Sequence, residues 1–168
     1  IKNISVQSKV VLDAQEVAIK TIGIVQDITE RKQAEDKIIA EKELFRVMIE
    51  SMPDQIYLKD INCRFLVCNV PAAHSAGLKS YQEMIGKTDL DLCPLELARQ
   101  FLKEDQNVME SGKPIINREG NIIDKASGKI RWSLTTKVPL KNSAGRIIGL
   151  IGINRDITDR KISEKKIE

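Results

Sequence analysis

A ten-residue segment occurs twice in the chain and constrains its fold more than any other feature. The segment GIVQDITERK at residues 23–32 returns as GINRDITDRK at residues 152–161, an offset of 129 positions (152 − 23) with seven of the ten residues identical. Each copy begins as an apolar, strand-favouring run and ends in charged residues that favour a helix. Each copy therefore predicts a junction between a strand and a helix. Because solenoid repeats recur every ~20–50 residues, a repeat at this distance indicates two like domains in tandem.

Composition excludes several classes of protein. With 168 residues, 42% of them hydrophobic and 30% charged, the chain suits a cytoplasmic protein with one domain of ordinary size and additional segments. A net charge of +3, with basic residues scattered among acidic ones, predicts no nucleic-acid partner. No apolar run approaches the ~20 residues of a membrane span, so no direct membrane contact is expected. Cys63 and Cys68, five positions apart in a predicted strand, should lie on opposite faces as buried, reduced thiols.

The first 52 residues predict a hairpin followed by a helix. Strands at 1–12 and 17–28 match in position a second predicted hairpin at 130–140 and 146–157, so residues 1–32 are interpreted as the end of a preceding domain. Residues 33–52 then form an amphipathic linker helix. Apolar residues recur along it at the spacing of a coiled-coil seam, which predicts a homodimer, although one helix lying on its own domain is the alternative. The predicted seam consists of Ile38, Phe45, Met48 and Met52.

Residues 53–158 predict one α+β domain. Predicted strands lie at 55–60, 64–69, 115–124, 129–140 and 146–156, and predicted helices lie at 70–77, 81–85 and 94–111. The longest of these helices carries an apolar stripe that Asp105 interrupts. The strand at 129–140 alternates, with Trp132 and Leu134 on one face and Thr135 and Lys137 on the other. Residues 159–168 begin a further helix that leaves the domain.

Four segments of this domain resemble the PAS domain family of sensory modules. DQIYLKD at 54–60 and RFLVCNVPAA at 64–73 look like the first two strands and the following helix of that family. IGKTDLDL at 85–92 resembles its mid-domain turn. Asp156-Ile157-Thr158 resembles the motif through which such domains join their signalling helices, and Asp27-Ile28-Thr29 repeats it. The resemblance covers roughly residues 45–161, with the tail of a second such domain at 1–32.

The resemblance implies a five-stranded antiparallel sheet with helices on one face, enclosing a cavity that holds a ligand in some members. It also implies a host with adjacent PAS domains and an output domain, most often a prokaryotic histidine kinase or a cyclic-dinucleotide enzyme. The residues placed to line such a cavity are Tyr57, Met84, Phe101, Asn117, Trp132 and Leu134. A filled core made of the same residues is the alternative.

Two cofactors of the family, haem and flavin, are not expected here, and the sequence identifies no other. Haem-binding members use a histidine, usually on the long helix, whereas the one histidine of this chain, His74, falls on an earlier short helix. Residues 62–66, NCRFL, look like a flavin-reactive cysteine motif but precede the mid-domain turn instead of following it. No catalytic grouping, phosphate-binding loop or metal-ligand spacing is present in the sequence, so no enzymatic activity is predicted.

The sequence therefore predicts a sensory and dimerisation module that relays a conformational signal to an output domain. The repeated junctions would carry that signal through Asp27, Thr29, Arg31, Asp156, Thr158 and Arg160. In each copy the aspartate and the arginine are four positions apart and are expected to pair across the junction, while the threonine is expected to cap the helix. The alternative is a structural spacer in a PAS array that dimerises and binds no ligand.

Overall fold

The computed structural model describes residues 2–14, 16–123 and 128–165. The chain divides into two compact units, residues 1–47 and 48–168. None of the described helices is both long enough and apolar enough to cross a membrane.

The first unit contains the predicted hairpin. Strands β1 (Ile4–Leu12) and β2 (Ala18–Asp27) pair in antiparallel fashion, and helix α1 (Thr29–Glu50) follows directly. Both strands leave large apolar side chains in solvent, among them Ile24, which is 67% exposed. An isolated two-stranded sheet is at best marginally stable in water.

The second unit confirms the predicted five-stranded antiparallel sheet. Its strands are β3 (Gln55–Asp60), β4 (Phe65–Cys68), β5 (Ile115–Ile123), β6 (Ile130–Lys141) and β7 (Ile147–Asp156). They are arranged in the order β4-β3-β7-β6-β5, and every neighbouring pair is antiparallel. Strand β7, which leads into the helix that leaves the domain, is therefore the central strand of the sheet.

Short helices and one long helix accompany the sheet. They are α2 (Val70–Ser75), α3 (Asp89–Leu92), α4 (Leu95–Ser111) and α5 (Thr158–Lys165), with a 3₁₀ turn at Tyr81–Glu83. The Asn69 side chain accepts from the Ala72 amide and so caps α2, as the sequence predicts. Gly112 ends α4 with φ of 66°, a conformation that glycine adopts without strain.

The predicted placement of two cysteines in one strand is wrong, although both are free and buried as expected. Cys63 does not lie in a strand: it occupies the β3–β4 turn with φ of 59°, and only Cys68 belongs to β4. Both thiols are buried in one core cluster with Phe65 and Leu150, so they do not lie on opposite faces of the sheet. Burial raises the pKa of the Cys63 thiol to about 11.

Candidate ligand cavity and strand-to-helix junctions

A cavity of about 140 Å³ lies in the second unit, between strands β3 and β6 and helices α2 to α4. Its apolar walls are formed by Tyr57, Phe65, Met84, Leu92 and Phe101. The rings of Tyr57 and Phe65 meet edge to face, with 5.7 Å between their centroids. These walls can therefore contact a flat apolar group on more than one side.

Gly152 makes room for the Tyr57 ring. The two residues are directly opposite on β7 and β3. A Cβ atom at Gly152 would lie 2.1 Å from Cζ of Tyr57, well inside van der Waals contact. The glycine that opens the second copy of the repeat thus lets an aromatic ring lie across the central strand and line the cavity. Burial raises the pKa of the Tyr57 hydroxyl well above its ordinary value, so this wall of the cavity stays uncharged.

Buried charged residues form the polar side of the cavity. Lys59 on β3 is 1% exposed, and its Nζ lies 2.5 Å from Oδ2 of Asp89 and 2.6 Å from Oδ2 of Asp105. Asp105, which is fully buried on α4, also accepts from Lys137 of β6 at 2.5 Å. One carboxylate thus holds two ammonium groups that belong to different strands.

The ion pairs continue to β5. Nζ of Lys137 lies 3.3 Å from Oε2 of Glu104, and the same oxygen accepts from Nη2 of Arg118 at 2.7 Å. Six side chains of alternating sign therefore form one chain, hereafter the ionic chain: Asp89, Lys59, Asp105, Lys137, Glu104 and Arg118. No buried side-chain nitrogen or oxygen among the described residues lacks a hydrogen-bond partner.

The pKa values of the ionic chain reflect burial set against pairing. Burial would lower the pKa of Lys59, but the charges of Asp105 and Asp89 outweigh it and raise that pKa. Burial raises the pKa of Asp89 in spite of its pairing with Lys59. Burial would also raise the pKa of Glu104, but Arg118 and Lys137 outweigh it and lower that pKa. Lys59 is therefore firmly cationic at neutral pH.

The structure places half of the predicted cavity residues at the cavity. Tyr57, Met84 and Phe101 line it, whereas Asn117, Trp132 and Leu134 do not. The reason lies in β6, whose inward face is the polar one: Thr135 and Lys137 line the cavity, and Ser133 is buried. The expectation that the apolar side chains of this strand line the cavity is thus corrected. Asn117 lies instead where β5 pairs with β6, and its backbone N–H donates to Oγ1 of Thr136 at 3.1 Å.

The junction at the end of β7 is built from a side-chain cap and a link between strand and helix. Oδ1 of Asp156 accepts from the Thr158 amide at 2.8 Å. Oγ1 of Thr158 accepts from the Trp132 amide at 3.0 Å, and the Ile157 amide donates to the Trp132 carbonyl at 2.9 Å. Arg131 pairs with Oδ2 of Asp156 at 3.2 Å. The start of α5 is thus attached to the beginning of β6.

The junction at the end of β2 repeats this arrangement residue for residue. Oδ1 of Asp27 accepts from the Thr29 amide at 3.0 Å, and Oγ1 of Thr29 accepts from the Asn3 amide at 2.8 Å. The Ile28 amide donates to the Asn3 carbonyl at 2.9 Å, and Lys2 pairs with Asp27 at 3.5 Å. Each of these five residues precedes its counterpart by the offset of the sequence repeat. The repeat therefore encodes one structural device in two copies.

The predicted pairing of aspartate with arginine across each junction is wrong. Arg31 pairs with Glu35 at 2.8 Å, and Arg160 pairs with Glu119 of β5 at 2.5 Å and with Glu164 at 3.3 Å. The predicted capping role of the threonines is also corrected. The aspartate side chain caps each helix start, while the threonine hydroxyl bonds the neighbouring strand. Residues Lys2 and Arg131, which pair with the aspartates instead, lie too far away in sequence for spacing to reveal them.

The structure assigns no site to the remaining candidates. His74 is exposed on α2. Within the described ranges, no group of three histidine, cysteine, aspartate or glutamate side chains could hold a metal ion. The predicted seam residues of α1, Ile38, Phe45 and Met48, are exposed, as is Met52 just beyond the helix.

The fold agrees with what comparison with known proteins shows. Residues 49–162 match the family described as PAS fold, so the chain belongs to that family. Its members are sensory modules of signalling proteins and not catalytic domains.

The curated relatives are signalling proteins of greater length. The chain is 29% identical over 125 residues to the methanogenesis regulatory histidine kinase FilI of Methanothrix harundinacea, covering 74% of this chain and 14% of that protein. It is 28% identical over 138 residues to the virulence sensor BvgS of Bordetella parapertussis, covering 80% of this chain and 11% of that protein. A diguanylate cyclase of Vibrio cholerae is 29% identical over 117 residues, covering 69% and 36%. The chain thus spans only a part of each relative.

Solved structures show the same fold. The PAS domain of Bordetella pertussis BvgS aligns with a TM-score of 0.59 at 26% identity, covering 76% of this chain and 94% of that one. VqmA of Vibrio cholerae aligns with a TM-score of 0.62 at 27% identity, covering 73% of this chain and 52% of that one. A VqmA structure bound to DPO aligns with a TM-score of 0.60 at 26% identity, covering 70% and 57%.

Proposed function

We propose that the second unit is a ligand sensor: a small molecule occupies its cavity, and the junctions pass the resulting change to the flanking helices. The observation that carries this proposal is the cavity of about 140 Å³, which combines aromatic walls with buried charged side chains. An engineered apolar cavity of about 150 Å³ holds benzene, so the size suits a molecule with a single ring. The binding of DPO to the structural neighbour VqmA adds support.

The path of the signal follows β6. Lys137 and Thr135 line the cavity, and Trp132 of the same strand holds the start of α5 through Thr158. A ligand that contacts Lys137 would therefore act on a strand that also anchors the exit helix. Asp156 and Thr158, with Asp27 and Thr29 in the first copy, are the proposed relay residues. Arg160 joins this path through Glu119 of β5, whereas Arg31 pairs with Glu35 of its own helix.

The repeated junction supports an array of domains within a longer protein. We propose that residues 1–32 end a preceding PAS domain, that 33–52 connect it to the PAS domain at 53–158, and that 159–168 begin the next signalling helix. The register supports the first assignment, since Ile4 pairs with Asp27 as Ser133 pairs with Asp156. A homodimer through α1 and a cytoplasmic sensor histidine kinase as host complete the proposal, the latter because two relatives are histidine kinases or sensors.

A ligand-free spacer is the second candidate. It is favoured by one observation, that the ionic chain is internally paired and leaves no buried polar side-chain atom of the described residues without a partner. Such a core is stable without a ligand, and in this second candidate the cavity is only a packing defect.

A pair of tryptophan substitutions tests sensing against the spacer. Leu97 lines the cavity, whereas Leu95 of the same helix is 54% exposed and does not. We expect the unmodified protein, incubated with a metabolite extract of its host, to carry one small molecule per chain in native mass spectra. Leu97→Trp should lose that molecule because the larger ring fills the cavity, and Leu95→Trp should keep it.

The outcomes separate the two candidates. A bound molecule that persists in Leu97→Trp would place binding outside the cavity and contradict the sensor. A clean mass for all three proteins, with unchanged output when Leu97→Trp is introduced into the intact host protein, would leave the spacer as the function.

A further inference from the structure

The electrostatics of the cavity indicate which class of molecule it accepts, an inference that rests on the proposed sensing function. The ionic chain contains three basic and three acidic side chains and is therefore balanced. Five of its members line the cavity, and the sixth, Asp105, lies behind them, fully buried. Because Asp105 bonds both Lys59 and Lys137, it fixes the two ammonium groups at the cavity wall.

Lys137 is the donor best placed to meet a ligand. An ammonium group has three N–H donors, and the Lys137 Nζ uses two of them, on Asp105 and Glu104. Lys59 also uses two of its donors, on Asp89 and Asp105. The rest of its ammonium group faces the Phe65 ring, whose centroid lies 4.5 Å from Nζ. The Phe101 ring is farther from Lys137, at 5.5 Å. One strong donor of Lys137 therefore remains for an acceptor in the cavity.

A charged ligand would disturb the balance. Isolated charge in a low-dielectric interior is costly, and the charges already present neutralise one another. A ligand carrying a net charge would leave one charge without a counterion, whereas a neutral molecule with a polar oxygen would leave none. The surrounding rings of Tyr57, Phe65 and Phe101 suit an aromatic body.

We propose that the cavity selects net-neutral, single-ring molecules bearing a carbonyl-type oxygen, which accepts a hydrogen bond from Nζ of Lys137. The ring lies among the aromatic walls and the oxygen points to the strand that holds the exit helix. The same contact that gives affinity thus acts on β6.

Four probes of similar size and different charge test the proposal on the unmodified protein. They are benzamide, which is neutral with a carbonyl, benzoate, benzamidinium, and toluene, which has no acceptor. Binding is followed by NMR titration, with the methyl resonance of Met84 reporting on the cavity. Benzamide should bind at least about tenfold more tightly than each of the others, since a hydrogen bond to a charged donor and an avoided unpaired charge each stabilise it by about 1.4 kcal/mol or more.

A charge-balanced double variant identifies the donor. Replacing Lys137→Met together with Glu104→Gln removes one charge of each sign, so the cavity keeps its neutrality. Benzamide should then bind no more tightly than toluene, while toluene binding, unchanged, would show that the cavity persists. A preference for benzamide that survives in this variant would overturn the assignment of Lys137.

The results also distinguish this proposal from the sensing function. Benzoate or benzamidinium binding as tightly as benzamide would overturn the ligand class and leave the sensor intact. The ligand class is also overturned if no probe shifts the Met84 resonance, while the unmodified protein binds a metabolite that Leu97→Trp does not bind. If no probe binds, no metabolite is found and Leu97→Trp leaves the output of the intact host unchanged, the ligand class and the sensing function are both excluded.

Discussion

Gly152 illustrates how one residue of the repeated motif acquires a role that its counterpart lacks. A Cβ at Gly152 would collide with the Tyr57 ring, whereas a Cβ at Gly23 would have its nearest neighbour, the Gln7 carbonyl oxygen, at 3.6 Å. We predict that Gly152→Ala lowers the free energy of unfolding by about 1–3 kcal/mol, as overpacking does, and displaces the Tyr57 ring. Gly23→Ala is the matched control and should change stability little. Urea unfolding measures both, and equal effects would contradict the role assigned to Gly152.

Lys59 allows a second prediction at the scale of the residue. Its replacement by methionine would leave Asp89 and Asp105 with one fewer partner in a buried site. We expect Lys59→Met to cost about 3–5 kcal/mol, because removing one member of a buried ion pair leaves charge unpaired. Lys103→Met, an exposed position on α4, serves as the control and should cost less than about 0.5 kcal/mol. A loss below about 1 kcal/mol for Lys59→Met would show that the ionic chain is hydrated.

These residues also show where reasoning from sequence stops. Asp105 interrupts an apolar stripe, and Lys59 and Lys137 alternate with apolar residues, so periodicity assigns all three to solvent. The structure buries them because each finds its partners on other elements, 30 to 46 residues away. Cross-element pairing of charges leaves no periodic signal in one sequence. Tyr57, Met84 and Phe101 could be anticipated because apolar residues need no particular partner.

Among the elements, the exit junction makes a prediction about pH. Burial would raise the pKa of Asp156, but its hydrogen bonds from Thr158 and its pairing with Arg131 outweigh this and hold the pKa below its ordinary value. A carboxyl with a lowered folded-state pKa contributes stability above its unfolded pKa, and this contribution is lost as the pH falls through the folded value. Asp156→Asn should therefore cost up to about 1 kcal/mol near neutral pH.

That cost should shrink as the pH falls through the lowered pKa of Asp156 and vanish once the native carboxyl is protonated as well. Thermal unfolding of the two proteins between pH 2 and pH 7, roughly the range over which carboxyls titrate, measures the difference. A difference that stays constant across this range would assign the effect to geometry and not to charge.

The exit helix has a second attachment, to β5. Glu119 accepts from Arg160 at 2.5 Å and from Lys161 at 2.7 Å, and Lys161 lies over the Trp132 ring at 5.7 Å. We predict that Glu119→Gln speeds hydrogen exchange of the α5 amides severalfold and changes the overall stability little, since the pairs are partly exposed. Glu110→Gln, exposed on α4, should leave α5 unchanged. Unchanged exchange in Glu119→Gln would remove this contact from the relay.

Most elements were predictable because their signals are local. The hairpin strands, the cap at Asn69 and the end of α4 at Gly112 follow from alternation, capping and glycine conformation. Helix α3 was not predicted, since four residues are too few for periodicity. Its one signal is the reciprocal pairing of Thr88 with Asp91, in which aspartate replaces the usual glutamate.

For the whole molecule, the repeat is informative because both copies fold identically while their surroundings differ. The two junctions share the hydrogen bonds of the aspartate, the isoleucine and the threonine. Among the described residues, only Gly152 of the two repeat glycines has an aromatic ring across it. The junction is thus a connector whose geometry does not depend on the cavity. This independence is what an array requires, because one connector can then join sensors with different ligands.

The array proposal leads to a prediction about α1 as a dimer interface. Ile38 belongs to the predicted seam and Ile39 does not, although both are exposed within one chain. If α1 pairs with the same helix of a second chain, Ile38→Glu buries a charge at the interface and should weaken dimerisation at least about tenfold. Ile39→Glu carries the same change one position away and should leave the dimer intact. Light scattering over a range of concentrations measures both, and a chain that is monomeric throughout, or two variants that dissociate equally, would exclude this seam as the interface.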